Sequence, residues 1–77
     1  MRSHISVAEC SVVVTQVGIR SYEILVDYDF GDDEVLKAYA LAKAMAQWQE
    51  KHPDRRIQSE DMVDSPGNKG RLIFTVD

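Results

Sequence analysis

The chain has 77 residues, 44% hydrophobic and 29% charged, and nine Lys and Arg against thirteen Asp and Glu leave a net charge of −4. A chain this short has one small core, so a single domain over residues 1–77 is expected, and the composition excludes disordered, collagen-like and membrane-spanning classes. The acidic excess opposes non-specific binding to a phosphate backbone, where affinity comes from Lys and Arg, and suits docking on a basic surface.

The single cysteine, Cys10, cannot form an internal disulfide. Secreted domains of this size generally rely on several, so the cytoplasm is the expected compartment. The apolar stretch after Met1-Arg2-Ser3-His4 is broken by Ser6, Glu9, Ser11 and Gln16, unlike a signal peptide, and no run approaches the roughly 18 apolar residues of a membrane span.

Ile5 to Val17 is rich in β-branched residues and reads as extended chain. Its parity is mixed: Ile5, Val7, Val13 and Val17 fall on one side, Ala8, Cys10, Val12 and Val14 on the other, so a bulge or two short strands both fit. Gly18 marks a short hairpin connection. From Ser21 to Phe30 the alternation is clean, with Tyr22, Ile24, Val26, Tyr28 and Phe30 on a core face and Glu23, Leu25, Asp27 and Asp29 on the other.

Gly31 ends that strand, and Asp32-Asp33-Glu34 supplies carboxylates where a helix start has free N–H groups. The spacing predicts a helix over 33–51, stopped by Pro53. Its core stripe is read as Val35, Ala38, Leu41, Ala42, Met45, Ala46 and Trp48. Leu36, Ala40 and Ala44 then form a smooth outer surface that either admits another element closely or reflects only the helix preference of Ala. Tyr39 sits at the margin. Residues 56–64 form a weak, polar strand suited to a sheet edge. The segment 65–70 is a Gly-rich turn, and 71–76 is a last strand with Leu72, Phe74 and Val76 on one face.

The expected fold is α+β in ββαββ order: an antiparallel sheet of about four strands with one helix packed on one face. The other sheet face, with Glu23, Leu25, Asp27, Asp29, Ile73 and Thr75, is then either solvated or covered by a partner.

Little in the sequence points to catalysis. Cys10 and His4 are six residues apart in extended chain, with nothing to bring them together as a nucleophile and base, and Cys10 reads more simply as a small strand residue. Structural zinc needs about four ligands at defined spacings, which Cys10, His4 and His52 do not supply. Asp27, Asp29, Asp32, Asp33 and Glu34 do not match a calcium loop and are explained by outward strand positions and a helix start. Residues 67–70 match no phosphate-binding loop. No catalytic residue, metal or cofactor is expected, and the protein reads as a non-enzyme.

The ββαββ layout, the acidic balance and the Ala-rich helix DDEVLKAYALAKAMAQW resemble the small inhibitor proteins that bacteriophages encode, among them anti-CRISPR proteins and phage inhibitors of host RNA polymerase. The resemblance implies stoichiometric docking on a host protein or ribonucleoprotein complex, over its basic surface, in the host cytoplasm. Glu23, Leu25, Asp27, Asp29, Asp32, Asp33, Leu36 and Ala40 are the candidate contact residues, with Glu60, Asp61 and Asp64 as further acids facing the target. A net charge of −4 is modest for a nucleic-acid mimic and favours a mixed interface with apolar anchors.

Two other readings stand beside it. The protein could be a small homodimeric structural or accessory domain joined through the uncovered sheet face or the Leu36-Ala40-Ala44 surface. It could bind RNA or DNA through Arg55, Arg56, Lys69 and Arg71, a reading disfavoured because the aromatics that would stack on bases lie at core parity.

Overall fold

The computed structural model describes residues 11–77 and the backbone of residues 2–4. The readings made for residues 5–10, including the register of that stretch and the place of Cys10, lie outside the described residues. The described elements are β1 (Arg2–His4), β2 (Ser11–Gln16), β3 (Ser21–Asp27), α1 (Glu34–Lys51), β4 (Ile57–Met62), a 3-10 turn (Pro66–Asn68) and β5 (Gly70–Val76). All strand pairs are antiparallel in one sheet of order β1-β2-β3-β5-β4. The α+β fold in ββαββ order is therefore the one expected, with the three-residue β1 extending the four main strands at one edge.

Residues directly opposite across an antiparallel pair share a face. The register Val12↔Val26, Val14↔Ile24, Ile24↔Leu72 and Tyr22↔Phe74 gathers the apolar positions of three strands on one side. The helix lies there. Val12, Ile24, Val26, Leu72, Phe74 and Val76 pack against Ala40, Leu41, Ala44 and Trp48 to form the core. Its C-terminal end is aromatic: Tyr22 stacks on Phe74 with centroids 5.4 Å apart, and Trp48 meets both at 5.0 and 4.9 Å.

Toward the other end of the core, side chains close over a glycine. A Cβ on Gly70 would lie 3.2 Å from the Phe30 ring, 3.3 Å from Val26 Cβ and 3.4 Å from Leu41. Phe30 reaches this place although β3 ends at Asp27. The strand's alternation stops there, and Tyr28, expected on the core face, is instead partly exposed with its ring edge-on to Phe30. The loop before α1 is tied to the 3-10 turn by Phe30 N–H donating to the Asn68 carbonyl at 3.1 Å.

The helix is rotated from its expected orientation. Ala40 is 0% exposed and Ala44 is buried, whereas Val35 is 81% exposed and Ala38, Ala42 and Ala46 are exposed. Leu41, Met45 and Trp48 are common to both stripes; Leu36, Ala40 and Ala44 complete the real one. The physical reason is clearance. Two alanines against the sheet let the backbone of α1 approach closely enough for Leu41 and Trp48 to fill the gaps at its sides.

Candidate functional site

The acidic residues expected to face a partner have work inside the fold. On the open sheet face, Glu23 Oε2 accepts from Arg71 Nε at 2.8 Å and lies 2.7 Å from its Nη2. Asp27 Oδ1 lies 2.6 Å from Lys69 Nζ. Asp29 Oδ1 accepts from Gly31 N–H at 2.9 Å and holds the turn in which Gly31 takes φ +58°. Asp33 is the helix N-cap, its Oδ1 accepting from Leu36 N–H at 3.0 Å. Asp32 is exposed beside it. The open face carries two ion pairs around half-buried Val13, Leu25 and Ile73, so its charge is largely balanced there.

The other two candidates lie on the opposite side of the molecule from the open sheet face. Ala40 is buried under the helix and Leu36 packs against the core, which corrects the expectation that either presents an outer surface to a partner. The close approach that small residues allow is used by the protein's own sheet.

The basic residues are divided as well. Lys69 and Arg71 stand at the start of β5 with carboxylate partners. Arg55 and Arg56 are at the far end of that strand, where the Arg56 and Asp77 main chains pair and Asp77 Oδ1 accepts from Arg56 N–H at 3.1 Å. Six residue steps of β5 separate the two groups by about 20 Å. No single basic surface joins them.

Apolar surface is exposed elsewhere. The side of α1 directly opposite the core presents Val35, Tyr39, Ala42 and Ala46; Tyr39 is 55% exposed, with Lys43 Nζ 5.9 Å from its ring centroid. Between α1 and β4 runs an open groove lined by Ala38, Leu41, Ala42, Glu60, Met62 and Leu72. Met62 is 48% exposed there, because the helix sits over β3 and β5 and leaves the inner face of β4 uncovered at Glu60 and Met62, while Ile57 at the start of β4 packs against the core. Val17 and Ile19 are exposed at the β2–β3 turn, where the Gln16 amide donates to the carbonyls of Gly18 and Ile19.

Sequence reasoning missed Met62 and the groove. Their signal was the arithmetic of layers: one helix is about 10 Å wide and strands are about 4.8 Å apart, so a single helix leaves an edge strand bare. Among the described residues, no group of three or more His, Cys, Asp and Glu side chains is gathered as a metal ion requires, and no helix is long and apolar enough to cross a membrane. Comparison with protein-family models, with curated proteins and with solved structures finds no match to this chain.

Proposed function

We propose that the protein is a non-enzymatic binding module that acts by stoichiometric contact with another protein, as the small phage inhibitors that its layout resembles do. The observation that supports this is the helix layer, where Val35 and Tyr39 stand exposed on the outer side of α1 and Met62 stands exposed in the neighbouring groove floored by Leu41 and Leu72. Covering such area is favourable at about 25 cal/mol per Å². Glu60 is exposed and lines that groove, an acidic edge suited to a target with a basic surface, and a polar rim around apolar anchors is the usual anatomy of an interface; Asp61 is opposite Ile73 and belongs to the open sheet face. The contact surface in this reading is the α1–β4 side, with the open sheet face secondary.

The test is capture of a partner from the source cell with tagged protein, followed by Val35→Lys, Met62→Lys and Leu25→Lys. All three positions are at least partly solvent-facing, and folding is checked by circular dichroism. Loss of the partner with the first two and retention with the third is the expected pattern. Equal retention by all three, or turnover of a substrate by the purified protein, overturns the reading. A second reading, the homodimer, is favoured by the Val35-Tyr39-Ala42-Ala46 meridian, and sedimentation of the free protein decides it: a mass of 8.7 kDa at all concentrations removes it.

A further inference from the structure

The groove between α1 and β4 has a shape and charge that select its occupant. Its helix wall is made of exposed alanines, Ala38 and Ala42, its floor of Leu41 and Leu72, and its strand wall of Met62 and Glu60. We infer that this groove receives an amphipathic helix of a partner protein, its apolar face on Ala38, Ala42 and Met62 and a Lys or Arg on its flank opposite Glu60. The inference rests on the contact reading above and names the chemistry of the partner.

Three features carry it. Helices pack with axes about 8–10 Å apart, close to two strand spacings of about 4.8 Å. A helix laid beside α1, which covers β3 and β5, is therefore set over β4, the strand whose inner side chains Glu60 and Met62 are bare. Small residues on the wall allow the close approach such packing needs, and Met62 is an adaptable side chain that conforms to different shapes.

The second feature is the edge itself. β4 carries Glu60 and Asp61 and has a register shift between Ile57 and Ser59, and charges and bulges at an edge discourage the addition of another strand. A helix satisfies its own backbone and needs no edge. The third is charge. The ionisable side chain lining the groove is a carboxylate, Glu60, whereas Glu34, one turn before Ala38, is already paired with Lys37 Nζ at 3.1 Å. With a net charge of −4 on the whole chain, a basic segment is favoured over an acidic one.

The experiment uses the intact protein, labelled at Met, Ala, Leu and Ile methyl groups, and two synthetic 18-residue helical peptides. Both have the same Leu and Ala face; one has Lys on the flanks and the other Glu. Saturable shifts at the Met62, Ala38 and Ala42 methyls with the Lys peptide are expected, with the Glu peptide binding about two- to fivefold more weakly at low salt. Glu60→Lys should narrow or reverse that preference without altering the circular dichroism spectrum, and Ala42→Trp, which fills the groove from an exposed position, should abolish the shifts.

Absence of saturable shifts at these methyls, equal binding of the two peptides, or shifts confined to the open sheet face at Leu25 and Ile73 each overturns the inference. So does a concentration-dependent dimer whose interface protects Met62. A captured partner that depends on Leu25 and not on Met62 sinks this inference and the α1–β4 surface while leaving contact function intact.

Discussion

The rings of Trp48 and His52, one helical turn apart, stack with centroids 4.2 Å apart and planes 15° from parallel. His52 Nδ1 lies 2.9 Å from the Trp48 carbonyl oxygen. For that bond the proton must sit on Nδ1, which sets the tautomer of the neutral ring. The same residue ends the helix: its N–H donates to the Gln49 carbonyl at 3.1 Å, and the Gln49 amide reaches forward to the carbonyls of His52 and Arg55. Trp48 is then locked between this cap and the Tyr22–Phe74 stack, so helix termination and core packing are one structure.

His52→Ala removes both the stack and the carbonyl bond and should destabilise the domain by about 1–2 kcal/mol. Trp48→Ala leaves a cavity and should cost about 3–5 kcal/mol. His52→Phe keeps a ring and loses the bond, and its midpoint in urea should fall between that of His52→Ala and that of the unaltered protein. Identical midpoints for the two His52 variants would show that the ring contributes nothing.

Gly70 tests the opposite end of the core. A methyl group there meets Phe30, Val26 and Leu41 at 3.2–3.4 Å, so Gly70→Ala should destabilise by about 1–3 kcal/mol through overpacking. Phe30 is the neighbour with room to change. The double variant Gly70→Ala with Phe30→Leu should lose less than the sum of the single changes, a coupling that urea titration of the four proteins measures.

Two adjacent carboxylates at the helix start should behave differently. Asp33→Ala removes the bond to Leu36 N–H and should cost about 0.5–2 kcal/mol. Asp32 is exposed and offers at most a favourable charge near the helix dipole, so Asp32→Ala should cost no more than about 0.5 kcal/mol. Equal losses in thermal or urea unfolding would reject Asp33 as the cap.

The strands were legible in the sequence because Tyr22, Ile24 and Val26 alternate with polar neighbours, and the helix because Asp33 begins it and Pro53 stops it. The orientation of the helix was not legible. Ala38, Ala40, Ala42, Ala44 and Ala46 are two residues apart, so successive members turn by about 200° at 3.6 residues per turn and cover opposite sides of the helix alike. Val35 and Leu36, neighbours of similar hydrophobicity, then carry most of the remaining signal, and tertiary packing chose Leu36. The acidic candidates were legible as residue types and as outward strand positions. That Glu23 meets Arg71 and Asp27 meets Lys69 follows from the β3–β5 register, a pairing between positions more than 40 residues apart that no local pattern encodes.

The rotation of α1 gives the sharpest test of the fold. At roughly 0.05–0.15 kcal/mol per residue, the net stability of a domain this size is about 4–12 kcal/mol. Ala40→Glu places a carboxylate at a fully buried site facing apolar side chains, where the cost of an unpaired charge is several kcal/mol or more. That variant should be largely unfolded at 25 °C by circular dichroism. Ala42→Glu, two residues on and exposed, should change stability by no more than about 0.5 kcal/mol. The stripe expected from the sequence makes the reverse prediction, with Ala42 intolerant and Ala40 free, so this pair of variants distinguishes the two helix orientations without any knowledge of the partner.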